Sequence, residues 1–71
     1  MSMLKVIEVL AESDEGFDAA ARAAVTQAAQ SVRNIKSVYI KEMNAQVDGD
    51  AITRYRVNAK ISFLLEDQTA G

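Results

Sequence analysis

Apolar and polar residues alternate along the last third of the chain, and this is the clearest pattern in the sequence. From Tyr55 to Leu65 every odd-numbered residue is apolar, whereas the even-numbered residues from Arg54 to Ser62 are polar. A period of two is typical of a strand with one buried face. We therefore predict a half-buried strand over residues 51–65.

Two earlier segments also predict strands. Residues 3–11 are apolar and rich in β-branched side chains, which favours a strand with much of both faces buried. Residues 35–47 predict the other strand, with Val38 and Ile40 on one face. Its other face is expected to carry Ser37, Tyr39, Lys41 and Met43.

The segment Val47-Asp48-Gly49-Asp50 separates the last two strands. Asp-Gly is a common signal for a tight hairpin turn. The same residues resemble part of a calcium loop, but calcium takes about six or more oxygen ligands and this segment supplies two carboxylates. We favour the turn within one chain, and symmetry-related copies leave a metal ion in an assembly channel open.

A helix is predicted from about residue 14 to residue 32 or 33, and its apolar face is mostly alanine. Ser13 is expected to cap it, and Arg33 and Asn34 are expected to suit its C-terminal end. The apolar residues at helical spacing are Phe17, Ala21, Ala24, Val25, Ala28 and Val32.

These elements predict an α+β fold with the order β-α-β-β. A three-stranded antiparallel sheet in the order 1-3-2, wrapped on one long helix, satisfies both the crossover and the hairpin. The 71 residues make one domain, with an ordered core over about residues 3–66 and a polar tail, 66–71, that is expected to fray.

A chain of this size cannot easily stabilise itself. It has no Cys and no His, so neither a disulfide nor a zinc site with the usual ligands can stabilise it. Self-association is the remaining way to stabilise so small a domain. One helix covers one sheet face, and two sheet edges stay exposed. We therefore predict a symmetric homo-oligomer, with a monomer or dimer that has a wetted face as the alternative.

Composition argues against several functional classes. The net charge of −2 does not suit a general nucleic-acid binder, and no segment predicts a secretory signal or a membrane span, so we expect a cytoplasmic protein without nucleic-acid or membrane partners. Without His, Cys or a Gly-rich phosphate loop, the sequence does not predict an enzyme.

Charged and aromatic side chains on the strands are the remaining candidates for binding. Arg54 and Arg56 fall on one face of a strand, where they suit salt bridges between subunits or a bound phosphate or carboxylate. Tyr39 and Tyr55 either stack on a planar ligand or pack in an interface.

The order of these segments resembles the dodecin family over residues 3–67. The resemblance is carried by residues 5–9, by residues 13–20, by the Ala-rich helix and by residues 55–63. Dodecins are small β-α-β-β proteins that form hollow dodecamers of cubic symmetry, and many store flavins as pairs of rings near two-fold axes. The resemblance therefore implies a homododecamer that binds a small ligand and is not an enzyme.

The resemblance also implies the ligand-binding residues Ser37, Glu42 and Arg56, and two of them depart from the family pattern. Ser37 aligns with a Trp that stacks on the flavin ring, and Arg56 aligns with a Gln that bonds the ring edge. Glu42 keeps the acidic character of its position. The sequence contains no Trp, so weakened flavin affinity is expected.

Two hypotheses about function follow from the resemblance. The first is a hollow homododecamer that binds or stores riboflavin, FMN, FAD or a similar small ligand, with reduced flavin affinity. The second is an assembly of the same kind without flavin, which has a structural role or binds a divalent ion such as calcium.

Overall fold

The structure, a computed structural model, describes residues 2–65. It contains four elements: β1 (Met3–Ser13), α1 (Phe17–Ala29), β2 (Ile35–Asp48) and β3 (Ala51–Leu65). The strands form one antiparallel sheet in the order β1-β3-β2. The predicted fold class, element order and strand order are confirmed. The predicted fraying of residues 66–71 lies outside the described residues.

The alternation along β3 is confirmed. Val57, Ala59, Ile61 and Phe63 are buried on the side of the sheet that faces α1. Tyr55, on the same side of β3, is half-buried. Its ring packs edge-to-face on the ring of Phe17 in α1, with the ring centroids 5.0 Å apart. One row of side chains on the central strand therefore supplies most of the core.

Alanines form the side of α1 that faces the sheet. Ala20, Ala24 and Ala28 are buried, and their spacing of four residues follows one stripe of the helix. The predicted face omitted Ala20 and included Ala21 and Val25, which are only half-buried. Small side chains let the helix backbone lie close to the strands, but each buries little apolar area.

The helix starts later than predicted. Ser13 ends β1, and its Oγ accepts a hydrogen bond from the Glu15 amide at 2.9 Å, so it closes a local turn and does not cap the helix. Gly16 precedes the first helical residue, and its carbonyl accepts from the Ala20 amide at 3.0 Å. The predicted Ser13 cap is wrong because the strand continues through that residue.

The helix also ends earlier, at Ala29 and not at residue 32 or 33. The amides of Gln30 and Ser31 bond the carbonyls three residues back, which tightens the last turn. Asn34 then adopts a left-handed conformation with φ 64°, and its carbonyl accepts from the Leu64 amide at 2.9 Å. This bond ties the connection to β3 before β2 begins.

β1 is longer and more exposed than predicted. Its pairing with β3 continues to Ser13, two residues beyond the expected end. None of its residues is fully buried, so the prediction of burial on both faces is wrong for the single chain. The cause is that α1 covers one face and nothing in residues 2–65 covers the other. Three apolar side chains on this uncovered face are more than half exposed: Leu4, Val6 and Leu10.

The pairing of β2 with β3 is irregular in a way that sequence periodicity did not predict. The register shifts at three places: between Ile35 and Ser37, between Ile40 and Glu42, and between Gln46 and Val47. At the second shift one extra residue, Lys41, enters the strand. Beyond this bulge Met43 lies opposite Val57, on the face towards α1, and its predicted position on the other face is wrong. The hairpin turn is confirmed, with Gly49 at φ 69°.

The single chain is elongated. Its radius of gyration is 15.0 Å, whereas a compact domain of this length has about 11 Å. Its dimensions are 58 × 19 × 13 Å. Within residues 2–65, Val57 and Ile61 are the only large side chains that are fully buried. Among the described residues, no helix has the length and apolar character that crossing a membrane requires. Several large apolar side chains of the strands therefore stay exposed in the single chain, among them Leu10, Met43 and Val47.

Candidate functional site

The open face of the sheet, the side turned away from α1, carries the polar residues of the strands. On β3 this face consists of Arg54, Arg56, Asn58, Lys60 and Ser62. The register brings Glu8 opposite Lys60 and Glu12 opposite Arg56 on β1. Alternation on the central strand therefore produces a core on one side and a charged surface on the other.

Ser37 lies near the start of β2, opposite Ser62 on the open face. The two hydroxyl groups form a hydrogen bond with each other. A serine offers no flat surface, and this one is already paired within the chain. Its position is therefore suited to a hydrogen bond with a ligand and not to stacking on a ring.

Glu8 links β1 to β2 across the central strand. Its Oε2 lies 3.7 Å from Lys41 Nζ. Hydrogen bonding by the Asn58 side chain, followed by the charge of Lys41, lowers the pKa of Glu8 below its usual value. Asn58 Oδ1 is buried and has no hydrogen-bond partner among residues 2–65.

Glu42 lies opposite Asn58, immediately after the β2 bulge. It is exposed and forms no ion pair within the described part of the chain. A carboxylate in this state can accept hydrogen bonds from a ligand N–H group or coordinate a cation.

Glu12 contacts two arginines of β3. Arg54 Nη1 donates to Glu12 Oε1 at 3.3 Å, and Arg56 Nε donates to Glu12 Oε2 at 2.7 Å. Arg56 Nη2 donates to the same oxygen. Both arginines therefore have an acidic partner, Glu12, within their own chain.

The arginine contacts lower the pKa of Glu12 below its usual value. The hydrogen bond from Arg56 has the largest effect, and the charges of both arginines add to it. Glu12 is thus held ionised, and its carboxylate fixes both guanidinium groups on the open face.

The three residues that the resemblance assigns to ligand binding share the open face but do not meet in one chain. Glu42 of β2 pairs with Asn58 of β3, which is two residues from Arg56, so Glu42 and Arg56 belong to neighbouring cross-strand pairs. Ser37 lies six residues of β3 away from the row of Arg56, which is roughly 20 Å at about 3.3 Å per residue. The three side chains therefore do not form one compact pocket within a single chain.

The open face also has apolar and aromatic components. Tyr39, opposite Lys60, is 64% exposed, whereas the other aromatic side chains are half-buried or buried. It lies one row from Ser37 and is the exposed ring nearest to that residue. Leu4, Val6 and Leu10 border this surface on β1.

Sequence periodicity missed one residue of this surface, Glu12, because the first strand was expected to end at residue 11. Glu8 and Glu12 are four residues apart and therefore lie on one face of an extended strand, which was the available signal. The alternation along β3 placed Asn58 on the polar face, but the residues that β1 and β2 bring beside it depend on the sheet register.

The described residues contain no group of three or more acidic side chains that could hold a metal ion. Asp48 ends β2, and Gly49 and Asp50 form the hairpin turn, as the favoured interpretation of this segment predicted. A calcium ion takes six to eight oxygen ligands, so such a site requires carboxylates from more than one chain.

The chain is similar to known proteins along almost its whole length. A family model described as Dodecin matches residues 3–66. A dodecin of Thermus thermophilus is 29% identical over 63 residues, which cover 89% of this chain and 91% of that protein. A calcium dodecin of Mycobacterium tuberculosis is 33% identical over 63 residues, which cover 89% of each chain.

Solved structures agree with these relatives. The tt0972 protein of Thermus thermophilus superposes with a TM-score of 0.90 at 26% identity, over 96% of this chain and 100% of that one. A dodecin of Streptomyces coelicolor superposes with a TM-score of 0.87 at 30% identity, over 94% of this chain and 96% of that one.

Proposed function

The chain belongs to the dodecin family, and on this premise we propose that twelve copies form a hollow, closed particle that binds a flavin or a similar small ligand. The observation that carries the proposal is the incomplete burial of the single chain. Its sheet is covered on one face only, and its radius of gyration is 15.0 Å. A closed assembly covers the remaining surface without leaving an edge free.

Both edges of the sheet take part in this argument. β1 and β2 are the outer strands, and each pairs with β3 on one side only. Apolar side chains that are more than half exposed border the β1 edge: Leu4, Val6 and Leu10. Burial of such side chains contributes about 1.5–3 kcal/mol each, so contacts between copies supply stabilisation that the small core of one chain lacks.

The ligand site is proposed at the open face, where copies meet. Ser37, Glu42 and Arg56 are spread over this face, and the rows of Ser37 and Arg56 are separated by six residues of β3. A site built from two copies brings the ends of the face together. Glu42 supplies a charged acceptor for ring N–H groups, and Arg56 supplies donors for ring carbonyls or for a charged substituent.

Flavin affinity is expected to be lower than in a dodecin that has an aromatic residue at the position of Ser37. An aromatic pair contributes about 0.5–1.5 kcal/mol beyond the area it buries, and Ser37 is hydrogen-bonded to Ser62 instead. Tyr39, one row away and 64% exposed, offers a ring in a different place. The proposed ligand class is therefore wider than flavins and includes other small planar molecules.

A riboflavin titration tests the ligand proposal. Saturable quenching of riboflavin fluorescence by the protein is expected, and replacing Glu42→Gln weakens it about tenfold because a hydrogen bond to a charged group contributes roughly 1.5–3 kcal/mol. Glu15→Gln is the matched control, since Glu15 lies in the bend before α1. Unchanged fluorescence at every protein concentration would overturn the flavin part of the proposal.

A second candidate is a divalent-ion role, favoured by the calcium dodecin that is 33% identical to this chain. Within residues 2–65 one chain supplies no cluster of acidic ligands, so the ion would lie where several copies meet. The melting temperature is compared in calcium chloride and in a chelator. A calcium-dependent rise of several degrees supports this role, and identical melting temperatures contradict it.

A further inference from the structure

Glu12, Arg54 and Arg56 form a cluster on the open face in which positive charge exceeds negative charge. One carboxylate contacts two guanidinium groups, with the shortest Glu12–Arg54 contact at 3.3 Å and the Arg56 Nε contact at 2.7 Å. Arginine does not deprotonate in proteins, so the cluster keeps one net positive charge.

Much of the hydrogen-bonding capacity of these arginines is unused within the described chain. Each guanidinium group has five N–H donors in a plane. Arg54 directs one hydrogen bond to Glu12 and Arg56 directs two. The Arg54 side chain is 50% exposed and that of Arg56 is 34% exposed. The remaining N–H groups can therefore reach a ligand.

The neighbouring strand adds no opposing charge beside the cluster. Asn44 lies opposite Arg56, and Gln46 lies opposite Arg54. Both side chains are amides, which donate hydrogen bonds and carry no charge. Glu42 is one row further along, opposite Asn58 and on the side away from Arg54. The β2 side of the cluster therefore carries no charge that would repel an anion next to Arg54.

We infer that this cluster is an anion subsite that receives the phosphate or carboxylate group of the bound ligand. The inference rests on the proposed function, because it assigns part of the same ligand-binding face. Planar guanidinium groups bind phosphate oxygens through paired, charge-assisted hydrogen bonds. FMN, which carries a phosphate, is therefore expected to bind more tightly than riboflavin, which has the same ring without it.

Glu12 has two opposing effects in this subsite. Its carboxylate holds both guanidinium groups in place, and it also competes with the ligand anion for their N–H donors. Replacing Glu12→Gln keeps a hydrogen-bond acceptor of the same shape and removes the negative charge. Anion affinity is therefore expected to rise in this variant.

The experiment compares three probes in the assembled protein. Affinities for riboflavin and FMN are measured by fluorescence quenching, and affinity for inorganic phosphate by calorimetry, all at low ionic strength because salt screens exposed charges. The variants are Arg54→Gln and Glu12→Gln. Arg22→Gln is the matched control, since Arg22 lies on α1 and pairs with Asp18 at 3.2 Å. Light scattering confirms the particle mass of each variant.

The wild-type protein is expected to bind FMN about tenfold more tightly than riboflavin, because the net positive charge of the cluster attracts the phosphate group that riboflavin lacks. Arg54→Gln should abolish this preference and weaken phosphate binding. Glu12→Gln should increase both, and Arg22→Gln should leave both unchanged.

Several results would separate this inference from the proposed function. Equal affinities for FMN and riboflavin would overturn the anion subsite and leave flavin binding intact. Binding of phosphate that depends on Arg54, without binding of either flavin, would support the subsite and contradict flavin binding. A particle that dissociates in Arg54→Gln would assign this arginine to a contact between subunits and overturn the subsite.

Discussion

The two faces of the sheet differ in how they use the same strand. The face towards α1 carries the apolar core of the chain, and its members Ala59 and Ile61 are fully buried. The open face carries Arg56 and Lys60 in alternate positions and has no fully buried residue in the described part of the chain. One face stabilises the chain, and the other remains available for copies and ligands.

This difference explains why a chain of 71 residues keeps so many charges beside so small a core. Ion pairs on an exposed surface contribute little to stability, so the Glu8 and Glu12 contacts are not needed to hold the fold. Their value lies in fixing the positions of Arg54, Arg56 and Lys41 on the open face. We therefore expect substitutions on the two faces to have separable effects.

The largest expected effect is on the face towards α1. Ile61→Ala removes a fully buried side chain and should lower the free energy of unfolding by about 2–5 kcal/mol, because it leaves a cavity in the core. Ile52→Ala is the matched control, as Ile52 lies on the same strand and is 51% exposed. Denaturant unfolding at one fixed protein concentration measures both. Equal losses in the two variants would contradict the assignment of the core.

A second substitution tests the close approach of α1 to the sheet. Ala24→Leu adds volume at a residue that is 2% exposed and should destabilise the protein by about 1–3 kcal/mol through overpacking. Ala29→Leu makes the same change at an exposed residue of the same helix and should be nearly neutral. Thermal unfolding measures both variants, and a neutral Ala24→Leu would show that the helix does not pack as described.

On the open face, Ser37→Trp should raise riboflavin affinity about tenfold, since an aromatic ring adds stacking that a serine lacks. The change should leave stability almost unaltered, because Ser37 is exposed. Ser31→Trp, in the turn after α1, is the matched control and should not alter affinity. Fluorescence quenching measures the gain, and its absence would contradict a ring site at this position.

The smallest effect concerns acid. The pKa of Glu12 is lowered in the folded chain from a usual value of 4.5, mainly by its hydrogen bond from Arg56. Its stabilising contribution is therefore complete above about pH 4.5 and is lost as the pH falls through the lower folded pKa. Melting temperature between pH 7 and pH 3 should fall less steeply in Glu12→Gln than in the wild-type protein.

Glu15→Gln is the control for this pH series, because it removes an acidic side chain outside the open face. Its profile should follow that of the wild-type protein. An identical slope in Glu12→Gln and the wild type would show that the Glu12 contacts do not survive in solution.

Much of the fold could be predicted from the sequence because its signals are local. The alternation from Tyr55 onwards defined β3, and Asp48-Gly49 defined the hairpin. The helix ends were predicted less well, because Ser13 satisfies both a strand end and a helix cap by sequence. Only its pairing opposite Tyr55 decides between them.

The candidate site was predictable only in part. Arg54 and Arg56 were recognisable as a pair on one face, since strand periodicity alone relates them. Their carboxylate partner, Glu12, is more than forty residues away in sequence, and only the sheet register brings it close. The bulge that moves Met43 to the other face likewise depends on pairing and leaves no periodic signal.

The central claim is that surfaces left uncovered in one chain are covered by other copies. Light scattering of the purified protein tests it most directly. Twelve chains of 7.7 kDa have a mass of about 92 kDa, and such closed, symmetric assemblies should keep that mass on dilution. A measured mass near that of a single chain or a pair of chains would contradict the claim.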